Sequence, residues 1–255
     1  MWSYYFKDEI YRKADFKMKD LNGKIVFITG GSSGYGKATA RALSQAGAYV
    51  IIAARNEDGL KAAKEETGSK DYFVMDVTNY SDWEKASEYI KDKYGRIDFL
   101  INNAGGGVAI KDTVEQSAED IDATISLNLN SVIYGSKLFG EMMKSQKDGT
   151  IINLSSVCAK EAWPGWTVYA ASKWGVLGFS KGLYVEMRPH NVRVSCIIPA
   201  AASTGFQKNS GIDDISARLK TEDIAETVLY ICSLPQHAVV EEVTVWGIDQ
   251  EVNPL

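Results

Sequence analysis

Ile25-Val-Phe-Ile-Thr29-Gly30-Gly-Ser32-Ser33-Gly34-Tyr35-Gly36-Lys37-Ala-Thr-Ala-Arg-Ala-Leu43 is the stretch that decides the fold. Ile25–Ile28 is short, apolar and rich in β-branched residues, as a buried strand is. A glycine turn follows, and a helix-like run begins at once. Strand, turn and helix in that order open a βαβ unit. Glycines tighten such a turn and let a pyrophosphate approach the backbone. The helix start then offers unpaired N–H groups and a positive dipole end. Gly30, Ser32, Ser33, Gly34 and Tyr35 are therefore candidate phosphate contacts. The spacing is Gly30-x-x-x-Gly34-x-Gly36, not the usual G-x-G-x-x-G. Gly and Ser also build ordinary loops, so the flanking strand and helix carry the weight.

The same alternation runs outward from this stretch. Further strand-like runs are Tyr49–Ala53, Tyr72–Met75, Ile97–Ile101, Thr150–Leu154, Val192–Ile198 and Val243–Trp246. Helix-like segments span 34–46, 57–66, 81–94, 116–146, 167–188 and 221–233. The expected fold class is α/β: a single Rossmann-type, doubly wound parallel sheet with helices on both faces. Residues 21–255 form one domain, and 1–20 are an N-terminal extension. There Trp2, Tyr5, Phe6 and Ile10 share one helix face, which packs on the domain or on a neighbouring subunit.

Composition removes several function classes. The formal charge is −5, which leaves no electrostatic footprint for nucleic acid. No run approaches the ~20 apolar residues of a membrane helix, and the start carries charges where a signal peptide needs an apolar core. Cys158, Cys196 and Cys232 are odd in number and far apart, which fits a reducing cytoplasm rather than a disulfide framework. His190 and His237 lie near no ligand-like cluster, so no metal site is expected.

The second strand ends Ala53-Ala54-Arg55. An acid at that position would hold a ribose diol, and a base accepts a 2′-phosphate. Arg55 thus favours NADP(H) over NAD(H), against the plainer reading of a solvated loop arginine. Tyr169-Ala-Ala-Ser-Lys173 puts a phenol and an ammonium on one helix face. The ammonium is expected to lower the phenol pKa towards working pH. Tyr89-Ile-Lys-Asp-Lys93 has the same spacing in a helix expected to be solvated, so the pair alone proves little. Tyr169 differs because Ser156 stands upstream at the C-terminal end of a strand, the edge where open parallel sheets bind ligands.

Together these motifs resemble the short-chain dehydrogenase/reductase family. The likeness covers residues 21 to about 234 and rests on Gly30-x-x-x-Gly34-x-Gly36, Asp76-Val77, Asn102-Asn103-Ala104-Gly105, Asn128, Ser156, Tyr169-x-x-x-Lys173, and Pro199 with Thr204. The resemblance implies that Tyr169 is the general acid or base and that Lys173 holds the nicotinamide ribose and tunes Tyr169. Ser156 would bond the substrate oxygen, and Asn128 would hold a water of the proton relay. Asp76, Val77 and Asn103 would meet the adenosine side, and Pro199, Ala202 and Thr204 the nicotinamide end. It also implies the strand order 3-2-1-4-5-6-7, and a homodimer or homotetramer built on the helices near 116–146 and 167–188. Each residue has a bland alternative: Asn128 could kink a helix, Asn102 tie strands together, Asp76 make a turn.

Two departures stand out. Pro199 is followed by Ala200 where the family often has glycine, which would alter the pocket floor. The C-terminal Leu234–Val245 resembles the branch acting on serine and other 3-hydroxy acids. The loop from Ser156 to Tyr169 walls the substrate pocket, with Cys158 and Trp166 as candidate lining residues. The expected activity is NADP(H)-dependent hydride transfer on a small secondary alcohol/ketone pair. The rivals are an NAD(H)-dependent alcohol dehydrogenase of the same family and a non-catalytic NADP(H) sensor. A sugar-nucleotide epimerase shares the Tyr-Lys pair but uses a different glycine spacing.

Overall fold

The computed structural model describes residues 19–202 and 219–250. The helix face expected for Trp2, Tyr5, Phe6 and Ile10 lies outside them, as does Thr204. The strands are β1 (Ile25–Thr29), β2 (Tyr49–Ala54), β3 (Asp71–Val74), β4 (Phe99–Asn102), β5 (Gly149–Leu154), β6 (Val192–Pro199) and β7 (Glu242–Val245). They build a seven-stranded sheet in the order β3-β2-β1-β4-β5-β6-β7, parallel at each pairing.

Parallel neighbours need crossovers. These are α1 (Gly34–Gln45), α2 (Glu57–Thr67), α3 (Tyr80–Tyr94), α4 (Ala118–Ile125), α5 (Ser131–Gln146), α6 (Thr167–Met187) and α7 (Thr221–Ser233). Chain order reverses beside β1, which lies between β2 and β4. A ligand crevice is expected there, beyond the strands' C-terminal ends.

Alternation along β1 divides the core. Val26 and Ile28 join Ile52 and Ile197 against Leu43 of α1, Leu60 of α2 and Val228 of α7. Ile25 and Phe27 face the other way, with Ile51 and Leu100, against Trp83 and Ile90 of α3 and Phe139 of α5. Strands β1, β4, β5 and β6 are buried throughout, whereas the edge strands β3 and β7 are only half covered.

The segment 116–146 is not the single helix its pattern suggests. A π turn at Ser126–Asn130 joins α4 to α5. Asn128, fully buried, donates from Nδ2 to the carbonyls of Thr124 (3.0 Å) and Gly106 (2.9 Å). Its Oδ1 accepts the Gly106 N–H at 3.0 Å. The wider turn is what carries this side chain to the loop after β4.

Tyr89 is not the solvated residue its helix implied. Its hydroxyl donates to the Asp71 carboxylate at the start of β3, which also takes the Lys93 ammonium. The Tyr94 hydroxyl stands 3.5 Å from the same oxygen. Burial alone would raise the Asp71 carboxyl, but the bonds from Lys93 and Tyr89 outweigh it and hold the group below its ordinary range. The cluster pins α3 to the edge strand, at the opposite end of the sheet from the crevice. Tyr89→Phe should therefore cost about 1 kcal/mol, a fall in Tm of about 2–4 °C by thermal circular dichroism. An unchanged Tm would remove the cluster's structural role.

Candidate active site

The crevice is built on a contact that admits no side chain. A Cβ at Gly36 would stand 2.3 Å from the Gly30 carbonyl oxygen and 2.5 Å from Asn103 Nδ2. Gly30 itself takes φ +67°. The first turn of α1 therefore lies directly on the loop leaving β1. Asn103 locks this arrangement, donating from Nδ2 to the Thr29 carbonyl at 2.8 Å. Thr29 Oγ1 accepts the N–H groups of Asn103 (3.1 Å) and Ala104 (3.0 Å). Asn103 thus shapes the cradle.

Ser33 leads α1 with no side-chain capping bond, and the first turn carries no acid. The leading N–H groups and the positive dipole end are left for an anion. Beside this cradle Tyr35 donates its hydroxyl to the Ala200 carbonyl at 3.2 Å, linking the loop to the end of β6. Burial pushes the Tyr35 phenol up, so it stays protonated. Cradle, dipole and glycine contacts fit a dinucleotide.

Arg55 is exposed just past β2, and its side chain forms no ion pair among the described residues. Lys37, a conceivable second phosphate partner, is instead paired with Glu66 at 2.9 Å. Asp76 makes a turn: one carboxylate oxygen accepts the N–H and hydroxyl of Thr78. Val77 is buried, and its carbonyl takes the Trp83 indole N–H at 2.8 Å.

Ser156, Tyr169 and Lys173 converge at the end of β5. Adjacent serines on extended chain face opposite ways. Ser155 Oγ donates to the Lys173 carbonyl at 2.9 Å, tying β5 to α6. Ser156 Oγ accepts the Cys158 N–H at 3.2 Å and is hydrogen-bonded to the Tyr169 phenol. The Lys173 ammonium lies 5.7 Å from the Tyr169 ring centroid and donates to the Leu154 carbonyl at 3.0 Å. A Cβ at Gly105 would stand 2.9 Å from Asn128 Oδ1 and 3.2 Å from Lys173 Nζ, so these two groups flank Gly105.

The expected fall in the Tyr169 pKa is not what this site shows. Tyr169 is 7 % exposed, and burial raises its phenol well above the ordinary range, with Ser156 offsetting only part. Proximity of an ammonium is overridden by desolvation of the phenolate. Lys173, 4 % exposed, is pushed down to about 8 by the same burial.

Around this trio, Trp166 packs edge-on against Tyr169 with ring centroids 5.5 Å apart. Trp163 instead packs on the apolar core. Cys158 is buried and burial raises its thiol, so it is a wall residue rather than a thiolate. Pro199 ends β6, and Ala200 and Ala202 are buried beside it. The Tyr35–Ala200 link had no local signal in the sequence, because its two ends lie on different elements.

The profile of the short chain dehydrogenase family matches residues 24–214. The chain is 36 % identical over 244 residues to the 3-oxoacyl-(acyl-carrier-protein) reductase FabG of Thermotoga maritima, covering 90 % of this chain and 97 % of that one. It is similar to the closed form of serine dehydrogenase complexed with NADP+, with TM-score 0.85 and 27 % identity over 91 % of this chain and 98 % of that one. It is also similar to an alcohol dehydrogenase from the archaeon Thermococcus sibiricus complexed with 5-hydroxy-NADP. There the TM-score is 0.83 and the identity 28 %, over 91 % of this chain and all of that one.

Lys173 yields a stability prediction. Its ordinary value is 10.5 and its folded value about 8. The unfolded chain therefore holds this proton between pH 8 and 10.5 while the native chain sheds it. The penalty is full below pH 8 and fades as pH rises towards 10.5. Lys173→Met should raise stability at pH 7 by about 1–2 kcal/mol, after subtracting the donor lost to Leu154. Urea unfolding at pH 7 and pH 10 should show that advantage shrinking. A pH-independent gap would contradict it.

Proposed function

This chain belongs to the short-chain dehydrogenase/reductase family, and from that premise we propose that it is an NADP(H)-dependent oxidoreductase acting on a secondary alcohol/ketone pair. The observation that carries the reading is the meeting of Ser156, Tyr169 and Lys173 beside an uncapped helix start at the crevice. When bound, the nicotinamide cofactor supplies or accepts the hydride. The cradle Gly30–Tyr35 and the α1 terminus would hold its pyrophosphate, with Asp76, Val77 and Asn103 on the adenosine side. Pro199, Ala202 and Thr204 would lie at the nicotinamide end.

The raised Tyr169 phenol is protonated at neutral pH, the form that donates to a substrate oxygen in reduction. The Ser156 hydroxyl donates to the same oxygen, and that bond strengthens as negative charge develops there. Lys173 stabilises the tyrosinate left behind and holds the cofactor ribose. Asn128 spends both amide N–H groups on main-chain carbonyls, so any relay water would meet one of its oxygens rather than its amide N–H. Cys158 and Trp166 set the pocket wall.

Small ketones are the substrate class, and the serine dehydrogenase likeness supports extending it to 3-hydroxy acids and their oxidised forms. The outer face of α6 exposes Trp174 and Val185, with open space over Gly178 and Gly182. That face supports assembly into a homodimer or homotetramer. No helix among the described residues is long and apolar enough to cross a membrane, and the three cysteines are free and buried. A cytoplasmic setting fits the cysteines.

NADPH oxidation against a ketone panel tests the reading. Tyr169→Phe should lower kcat by ~10²-fold or more with NADPH binding retained. Ser156→Ala should act similarly, and Ser155→Ala should damage packing before turnover. A wild-type chain that binds NADPH and reduces nothing in the panel would be a sensor.

Cofactor choice rests on Ala54, which offers no carboxylate to a ribose diol, and on the unengaged Arg55 fork. The NADP-bound neighbours support the same side. Because Lys37 is held by Glu66, it should not mask the loss of Arg55. Arg55→Ala should weaken NADPH roughly 10- to 150-fold in a fluorescence titration and leave NADH nearly unchanged. Tighter NADH than NADPH binding by wild type would overturn the cofactor assignment alone.

A further inference from the structure

Glu242 stands on the edge strand β7, away from the reacting groups, yet it touches both elements that present them. One carboxylate oxygen takes the Lys160 ammonium, and the other takes Lys181 at 3.1 Å. Lys160 directly follows the single turn Val157–Ala159, which Ser156 opens. Its Nζ also donates to Thr244 Oγ1 on β7 at 3.0 Å. Lys181 lies on α6, about two turns beyond Lys173. One carboxylate thus gathers a cation from the Ser156 turn and another from the Tyr169 helix.

We propose that Glu242 is a positioning residue: by clasping Lys160 and Lys181 it holds the far side of the Ser156 turn to the Tyr169 helix, beyond the direct tie of Ser155 to Lys173. The proposal rests on the oxidoreductase reading above. The physical case is a mismatch of scales. Half-exposed ion pairs add little to global stability, typically about 0–1 kcal/mol. Rate responds far more steeply to geometry, since a misplacement of about 1 Å can cost about 10²-fold. A weak tie at this place acts on turnover before it acts on folding.

The inner side of the turn is already fixed: Ser155 is bonded to the Lys173 carbonyl on α6 at 2.9 Å, and Val157 and Ala159 are buried in the core. The loop beyond it is held differently. Its main-chain bonds from Glu161 N to Val157 O (2.9 Å) and from Trp166 N to Trp163 O (3.2 Å) are internal. They fix the loop's shape rather than its place against the sheet. Lys160 reaches outside the loop. The Lys160 bond, with help from Lys181, holds the Glu242 carboxyl below its ordinary range, so the clasp is charged at neutral pH.

The test is Glu242→Gln in the full chain, at saturating NADPH, with a ketone that the wild type reduces. We expect kcat to fall about tenfold, with the NADPH Kd unchanged and Tm lowered by less than about 3 °C. Added salt should lower the wild-type kcat by screening the clasp and leave the variant's unchanged. Lys160→Met should reproduce the loss, and the double variant should be no worse than either single one. Lys160→Met alone carries the test if Glu242→Gln does not fold. Amide hydrogen exchange across 157–166 should quicken in both variants. Wild-type kcat and salt response in Glu242→Gln, or losses that simply add, would overturn the proposal. A wild type that reduces no ketone removes the functional reading instead. Exchange then judges the clasp, and unchanged exchange in Glu242→Gln overturns it.

Discussion

The missing side chain at Gly36 is the constraint on which the crevice depends. Because nothing separates α1 from the Gly30 carbonyl, the helix start sits at the sheet edge with its N–H groups facing outward. The same closeness brings the Asn103 amide between the two segments. That amide fixes the chain leaving β4, and Gly105 and Gly106 then meet Lys173 and Asn128. One steric fact at residue 36 is thus passed through hydrogen bonds from the cradle to Asn128 and the chain beside Lys173.

Burial does the electrostatic work in that interior. Tyr169 is kept as a neutral acid and Lys173 is held as a reluctant cation. Among the described residues this cation has no carboxylate bonded to it, and its partner is the Leu154 carbonyl at 3.0 Å. Ser155 and Ser156 divide the remaining labour. One locks the strand to the helix and the other meets the phenol.

The sheet was legible because parallel strands and their crossover helices write local periodicities of two kinds. Val192–Ile198 and 34–46 fall within a residue or two of β6 and α1. The choice between the two serines was legible as a contact, since Ser156 and not Ser155 meets Tyr169. What escaped was contact between distant segments. The pattern of 116–146 is the same with or without a π turn, and the partner of its Asn128, Gly106, lies on another loop. That Tyr89 is tied down rather than solvated escaped because its partner, Asp71, begins a different element. Lys37 had no visible reason to turn towards Glu66. The direction of the Tyr169 shift escaped for a related reason: spacing reveals a neighbour, and it does not reveal the depth at which the pair is buried.

The π turn between α4 and α5 has a consequence for how this chain can change over time. Such a turn winds more residues than α-helical geometry needs. Losing a single codon within 126–130 would let the two helices fuse into one regular rod. The flanking helices would keep their facing, because a π turn absorbs its extra residue, but the side chains of the turn itself would be drawn back into the regular spiral. Asn128 would then leave Gly106, and the loop beside Lys173 would lose its anchor. Along this stretch the smoother helix would hold the crevice less well. Mutation that repairs local regularity and selection that keeps the crevice pull in opposite directions.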